Sequence, residues 1–145
     1  MTLQIDDTDA ALLNALRENA RAPVAALARK LGIARTTVQA RIDRLEAQGA
    51  IAGYTLKPGA KLSPALRATV LVSVEPRAGA SVLARLKALP GIVAAHTISG
   101  RVDLIVEVTA STTEDLDRTL DRIGEESGVK SSESLIHLST KIDRR

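Results

Sequence analysis

The chain has 145 residues, which suits one ordinary domain or two small ones. It has no cysteine and only two histidines, which excludes disulfides and thiolate metal sites and disfavours a histidine-rich metal centre. A single aromatic residue, Tyr54, disfavours folds that stack single-stranded nucleic acid on aromatic rings. With no membrane-length apolar run and no secretory signal, we expect a cytoplasmic protein that needs no cofactor.

The net charge of +3 is unevenly distributed along the chain. Residues 21–57 hold seven basic and two acidic side chains, a net charge of +5. Residues 61–145 hold twelve basic and eleven acidic side chains, a net charge of +1. The concentration of positive charge in one short stretch indicates an anionic partner there.

Apolar spacing predicts three helices in the first 50 residues. The first covers about 9–19, with Thr8 or Asp7 as its cap. The second runs from near Pro23 to a stop at Gly32, and the third from about 35 to 48. The residues expected to face inward are Leu12, Leu13, Leu16, Leu27, Ala28, Leu31, Val38, Ile42 and Leu45. Two helices joined by a short glycine turn, the second polar and basic outside, predict a helix-turn-helix DNA-binding unit.

The outer face of the third helix supplies the candidate DNA contacts. Arginine can pair with guanine, glutamine with adenine, and threonine can meet a thymine methyl group. These candidates are Arg35, Thr36, Thr37, Gln39, Ala40 and Arg44, and the candidates for phosphate contact are Arg21, Arg29, Lys30, Arg41 and Lys57. The alternative for each is a solvated surface side chain. For Arg41, pairing with Glu46 or with a dimer mate is a further alternative.

A short strand or hairpin arm, a wing, is expected over residues 50–57, with Tyr54 packed against the helices. Pro58, Gly59, Ser63 and Pro64 indicate a linker. The predicted organisation is therefore a winged helix-turn-helix domain at 1–57, a linker at 58–65 and a second domain at 66–145.

The second domain alternates strands and helices. Strands are predicted over about 66–74, 92–98, 102–108 and 132–142, with a tight turn at 99–101. Helices are predicted over about 80–89 and from Thr112 or Thr113 to about 126. The order β-α-β-β-α-β predicts an α+β, ferredoxin-like unit with an antiparallel sheet.

The predicted strands are apolar on much of both faces. One face is assigned Leu71, Ile105, Ile136 and Leu138, and the other Val70, Leu104, Val106 and Leu135. Because a small sheet with two apolar faces needs a second cover, we predict a homodimer built mainly by this domain. A dimer also pairs the two helix-turn-helix units for a two-fold DNA site.

Taken together, these features resemble the Lrp/AsnC family of bacterial transcriptional regulators. The resemblance covers nearly the whole chain and rests on Ile5-Asp6, Asp9, Asn19-Ala20-Arg21, Leu31-Gly32-Ile33, Arg41-Ile42, Leu45-Glu46, Gly53-Tyr54, Pro90-Gly91-Ile92-Val93, His96 and Ser99-Gly100-Arg101-Val102-Asp103-Leu104. It implies a DNA-binding regulator whose dimers assemble to tetramers or octamers on double-stranded DNA, away from any membrane. It also implies a small-molecule effector, an amino acid, bound between effector domains.

The resemblance also assigns an effector site. The glycine turn could present backbone N–H groups to a carboxylate, and Asp103 could receive an ammonium group. The candidates are Ser99, Gly100, Arg101, Val102 and Asp103, with Ser132 and Ser134 of a neighbouring subunit. Two positions depart from the family pattern: Ala34 stands where serine is common at the start of the recognition helix, and Val102 where tyrosine is usual. The plain alternative is a hairpin turn with solvated Arg101 and Asp103.

The remaining polar residues are expected to be structural. His96 is expected to be buried and hydrogen-bonded, and His137, in an apolar strand, to be structural. The acidic residues of 114–126 are expected to form an exposed charged face with Arg118 and Arg122. Three other functions stay open: an enzyme on the same scaffold, similar to siroheme decarboxylases; an interaction module that binds no DNA; and an effector-independent DNA organiser.

Overall fold

The computed structural model describes residues 4–64 and 66–143. The outermost predicted domain ends and linker residue Ala65 lie outside the described residues. The chain divides into two compact units, Met1–Lys57 and Pro58–Arg145. Each has its own apolar core.

Three helices form the first unit: α1 (Asp7–Glu18), α2 (Val24–Leu31) and α3 (Arg35–Ala47). Their apolar faces meet in one core, in which the fully buried side chains include Leu12, Val38 and Leu45. Gly32 ends α2 in the left-handed conformation, with φ 67°, and its N–H donates to the carbonyl of Ala28. The turn between α2 and α3 therefore forms where the glycine predicted it.

The cap of α1 differs from the prediction. Asp6, not Thr8 or Asp7, is the N-cap, and its side chain accepts a hydrogen bond from the Asp9 N–H. The Asp9 side chain accepts from the Asp6 N–H in return, which completes a reciprocal capping box. The helix begins two residues earlier than expected, and the Asp6 side chain satisfies one of its free N–H groups, that of Asp9.

The predicted wing is wrong as a strand. Residues 50–57, all of which the structure describes, contain no strand. Residues 4–57, the described part of this unit, contain no strand beside the segment, so its backbone has no ladder to join there. Tyr54 is not packed in the core either: it is 52% exposed, and its hydroxyl donates to Glu46 Oε1 at 2.7 Å.

The second unit follows the predicted order, with β1 (Leu66–Val74), α4 (Gly79–Leu86), β2 (Ile92–Thr97), β3 (Leu104–Ala110), α5 (Thr113–Glu125) and β4 (Val129–Ile136). The strands form one antiparallel sheet in the order β2-β3-β1-β4. Both helices contribute to a core against one sheet face, where Val70, Val72 and Val106 are fully buried. This is the ferredoxin-like architecture.

The strand register corrects the predicted faces of β4. Ile136 lies opposite Ala68 and Leu135 opposite Thr69, so Ile136 shares the helix side with Val70, and Leu135 shares the open side with Leu71. This is the reverse of the predicted assignment of Ile136 and Leu135. The strand also ends at Ile136 instead of 142: the His137 N–H still donates to the Arg67 carbonyl at 2.9 Å, but no residue of β4 is paired with β1 beyond Ile136. Leu138, predicted on a sheet face, is outside the sheet and 96% exposed.

Candidate DNA-binding surface and effector loop

The surface of α3 divides into rows one helical turn apart. Val38, Ile42 and Leu45 face the core. The row formed by Thr36, Ala40 and Asp43 points away from the core, as the helical spacing requires. Arg35, Thr36, Thr37, Gln39 and Ala40 are all exposed. A continuous polar surface at the start of α3 is therefore open to a partner.

The arginine row of α3 is turned toward α1 instead. Arg41 Nη1 bonds to Asp6 Oδ2 at 2.7 Å and to Asp9 Oδ1 at 2.8 Å. Arg44 Nη2 bonds to Asp9 Oδ2 at 2.5 Å. The side chain of Asp9 is fully buried, whereas those of Arg41 and Arg44 are 25% and 41% exposed. Two predicted DNA contacts thus take part in an ion-pair network inside the unit, and the alternative pairing of Arg41 with Glu46 is wrong.

The pKa values of both carboxyls follow from this network. Burial raises the pKa of Asp9, but hydrogen bonds from Arg41 and Arg44 outweigh it and leave the pKa below its usual value. The hydrogen bond from Arg41, and then that from the Asp9 N–H, lower the pKa of Asp6. Both carboxyls are therefore charged at neutral pH, and Asp6 and Asp9 in turn raise the pKa of Arg41.

Several other predicted contact residues have partners nearby. Lys30 Nζ lies 2.8 Å from Glu18 Oε2, and both side chains are exposed. Gln39 donates to Asp43 Oδ1 at 2.7 Å. Arg21, Arg29, Arg35 and Lys57 are exposed, and their side chains make no ion pair within the described parts of the chain. These four are the basic side chains of the set that are most available to an anion.

The roles of Asp6 and Asp9 were missed in the sequence. Both residues were noted only as matches to a family pattern, and neither was assigned a partner. A usable local signal existed, since two carboxylates three residues apart before an apolar run suggest a capping box. The pairing with α3 has no such signal, because Arg41 and Arg44 lie 32 and 35 residues away.

The predicted effector turn is a longer loop than the three-residue turn expected. It spans residues 98–103, and β3 starts at Leu104 instead of 102. The Ile98 N–H donates to the Asp103 carbonyl at 3.0 Å, and the Asp103 N–H donates to the Val72 carbonyl at 3.0 Å. The Asp103 side chain accepts from the Val74 N–H at 2.9 Å. One carboxylate oxygen of Asp103 thus holds the loop to the end of β1.

The other loop residues are more open. Ser99, Gly100 and Arg101 are exposed, and Val102 is partly buried. Gly100 has φ 156°, and a Cβ built there meets nothing within 4 Å. Arg101 Nη2 lies 3.9 Å from Glu133 Oε2, and both side chains are largely exposed. The loop therefore offers exposed backbone and one weakly held cation.

Ser132 and Ser134 do not join this loop within one chain. Both serines lie on β4, where they face Val72 and Val70 of β1. This register places them on the helix side of the sheet. Consistent with this side, a Cβ built on Gly124 of α5 would lie 3.3 Å from Ser132 Oγ. Glu133, the partner of Arg101, lies on the opposite side. The two halves of the predicted effector set are therefore separated by the sheet in a single chain.

Neither histidine is buried, so the prediction of a buried His96 is wrong. His96 and His137 are exposed, and the His137 ring Nε2 lies 2.9 Å from Thr69 Oγ1.

On α5, Arg118 pairs with Asp115 at 3.0 Å on the surface. The described residues contain no group of three or more potential ligands placed to hold a metal ion. None of the described helices is long and apolar enough to cross a membrane.

Known proteins match both units. The model of the AsnC-type helix-turn-helix domain matches residues 5–46, and that of the Lrp/AsnC ligand binding domain matches residues 67–145. An HTH-type transcriptional regulator of Pyrococcus horikoshii is 36% identical over 141 residues, 94% of each chain. The HTH-type transcriptional regulator Rv2324 of Mycobacterium tuberculosis is 34% identical over 143 residues, 97% of each chain.

Solved structures agree with these matches. The AsnC structure of E. coli superposes with a TM-score of 0.90 at 25% identity, covering 99% of this chain and 98% of that one. A transcriptional regulator of Neisseria meningitidis, solved in complex with L-Met, has a TM-score of 0.89 at 20% identity, covering 97% and 94%. At 20% identity, the likeness to the Neisseria protein shows a shared fold alone.

Proposed function

Since the chain belongs to the Lrp/AsnC family of transcriptional regulators, with a helix-turn-helix DNA-binding domain and a ligand-binding domain, we propose which surfaces perform these two tasks. The start of α3 binds the major groove of duplex DNA, and the 98–103 loop binds a small effector. The protein acts by binding and not by catalysis, in the cytoplasm. The relatives that support this are named transcriptional regulators.

The observation that carries the DNA-binding proposal is the exposed polar surface at the start of α3, directly after the Gly32 turn. Arg35, Thr36 and Gln39 have the side chains to contact base edges, and Thr37 and Ala40 flank them. Arg21, Arg29 and Lys30 contact phosphates from α2 and the turn before it. Arg41 and Arg44 are assigned instead to the contact between α3 and α1, since both bond to Asp9.

The effector is proposed to be an amino acid. Support comes from the Neisseria relative in complex with L-Met and from the exposed backbone of the loop around Gly100. Ser99, Gly100, Arg101 and Val102 face the ligand, and Asp103 serves mainly to hold the loop, because its carboxylate accepts from Val74. Ser132 and Ser134 contribute from a neighbouring subunit, which accounts for their separation from the loop in one chain.

A homodimer is proposed through the open sheet face, with further assembly to tetramers or octamers. Leu71 and Ile105 lie opposite each other on that face, and Leu135 beside them is 45% exposed. Covering these side chains with a second copy would remove apolar surface from water. A ligand bound between dimers can alter assembly only if it binds two assembly states with different affinity.

The test is analytical ultracentrifugation of the protein with a panel of amino acids, with and without duplex DNA from its own upstream region. We expect one amino acid to shift both the assembly state and the DNA complex. DNA binding without any such shift would contradict the effector proposal and leave an effector-independent DNA organiser. Failure to bind duplex would contradict the assignment of α3, and Soret absorbance after incubation with siroheme would then identify the enzyme alternative.

A further inference from the structure

Asp9 is the only polar or charged side chain that is fully buried among the described residues. Its carboxylate accepts three hydrogen bonds: from the Asp6 N–H at 3.2 Å, from Arg41 at 2.8 Å and from Arg44 at 2.5 Å. Both arginines belong to α3, and Asp9 belongs to the first turn of α1. A buried carboxylate thus connects the first helix to the helix assigned to the major groove.

Without the carboxylates, the two arginines would be available as phosphate ligands on α3. They lie one turn apart on the row that continues from Thr37, next to the surface assigned to DNA. Their side chains remain 25% and 41% exposed, so both arginines are partly accessible to solvent. Asp6 adds a second carboxylate to Arg41, and the Nε of Arg41 is buried without a hydrogen-bond partner among the described residues. The two arginines are therefore already bonded to carboxylates of their own unit, and a DNA phosphate would have to compete with those bonds.

We propose that Asp9 is a positioning residue that fixes the rotation of α3 and withholds Arg41 and Arg44 from DNA phosphates. Contact with DNA then falls to the Arg35, Thr36 and Gln39 edge of the helix, which can distinguish bases. This inference rests on the proposed DNA-binding surface of α3. It predicts that Asp9 controls discrimination between sequences more than it controls total affinity for DNA.

The experiment compares an arginine assigned to phosphate, Arg29, with an arginine bonded to Asp9, Arg44. Each phosphate contact adds about 0.9 to the slope of log affinity against log salt. Arg29→Gln removes a proposed phosphate contact, so we expect its slope to become shallower by about 0.5–0.9. Arg44→Gln removes an arginine bonded to Asp9, so we expect its slope to match that of the unchanged protein. Fluorescence anisotropy on duplex DNA from the upstream region, over a salt series, measures both.

The second arm changes the carboxylate itself. Asp9→Asn keeps the size of the side chain but removes the charge that holds Arg44, whereas Arg41 keeps its ion pair with Asp6. We expect non-specific duplex to bind more tightly, with a slope steeper by about 0.9, and the preference for the upstream duplex to fall about tenfold or more. The double variant Asp9→Asn with Arg44→Gln should lose most of the added slope. Asp7→Asn, an exposed carboxylate in the same helical turn, is the matched control and should change none of these values.

Each outcome decides the inference. An Arg44→Gln slope as shallow as that of Arg29→Gln overturns it, because Arg44 would then contact phosphate in the unchanged protein. A folded Asp9→Asn protein with normal slope and preference also overturns it, and leaves Asp9 a purely stabilising role. If Asp9→Asn does not fold by circular dichroism, the Arg44→Gln arm decides alone, since it removes a partly exposed side chain. Absence of duplex binding by the unchanged protein contradicts the proposed function instead.

Discussion

The two units hold their candidate sites in opposite ways. In the helical unit, the exposed residues at the start of α3 come from one continuous helix. The buried carboxylate of Asp9 bonds to two arginines further along that helix. In the sheet unit, the candidate effector residues come from a loop and from a distant strand, on two faces of the sheet. The proposed DNA surface thus lies within one chain, whereas the proposed effector site draws residues from a second.

The difference shows where single substitutions are informative. A change on α3 alters contacts that one chain presents, so its effect can be assigned to one residue. In the proposed effector site, a change at Ser132 or Arg101 acts through an assembly, so we expect binding and oligomerisation to change together. Variants that affect one unit alone are therefore the first way to test the comparison.

The largest effects are expected from the two separate cores. Leu45 and Leu86 are both fully buried, one in each core. Substitution of either by alanine should lower the free energy of unfolding by about 2–5 kcal/mol, because it leaves a cavity. Differential scanning calorimetry should show Leu45→Ala lowering the transition of the helical unit and Leu86→Ala that of the sheet unit. Equal shifts of one shared transition would show that the units do not unfold separately.

Acid should weaken the helical unit through Asp6 and Asp9. Both pKa values are lowered in the folded state, so the stabilisation is present above the unfolded value of 3.8 and is lost as pH falls through the folded pKa. We expect the melting temperature of this unit to fall between about pH 5 and about pH 2. Asp9→Asn should melt lower at neutral pH and depend less on pH in this range. An unchanged pH dependence would mean that Asp9 does not supply it.

Local patterns predicted the elements well, because helix and strand periods are local properties. β1 has the predicted bounds of 66 and 74, and Gly32 ends α2 as expected. The exposed candidates on α3 were also placed correctly, since Val38, Ile42 and Leu45 fix which side of the helix is buried. Gly32 and the apolar stripe of α3 were enough to predict which α3 side chains are exposed.

Pairings between distant residues could not be predicted from such patterns. Arg41 and Arg44 look like surface charges until α1 brings Asp9 beside them. The face of Ile136 depends on its register against Ala68, and a shift by one residue reverses every side chain of the strand. The expected wing lacked a partner strand within its own unit. These errors share one cause, which is that the partner is fixed by the tertiary fold.

Two glycines distinguish a structural turn from a candidate ligand loop in the sheet unit. Gly91 has φ 87°, and a Cβ there would lie 2.8 Å from the Thr109 carbonyl oxygen. Gly91→Ala should therefore destabilise the unit by about 1–3 kcal/mol. Gly100→Ala meets no such obstacle, and we expect a loss of about 1 kcal/mol together with weaker amino-acid binding. Calorimetry with and without the amino acid identified by ultracentrifugation separates loss of stability from loss of ligand binding. Normal ligand binding by Gly100→Ala would show that the loop is not part of the effector site.

The smallest effect concerns the segment that leaves α3 without forming a strand. The hydrogen bond to Glu46, burial and the charge of Glu46 raise the pKa of Tyr54 above 10.0. The neutral hydroxyl is therefore stabilising below the unfolded value, and this contribution is lost as pH rises through the folded pKa. Tyr54→Phe should cost less than about 1 kcal/mol, since the bond is exposed. Because the chain has one tyrosine and no tryptophan, ultraviolet absorbance follows Tyr54 alone. Glu46→Gln should lower the titration midpoint, and an unchanged midpoint would show that this bond does not hold the segment to α3.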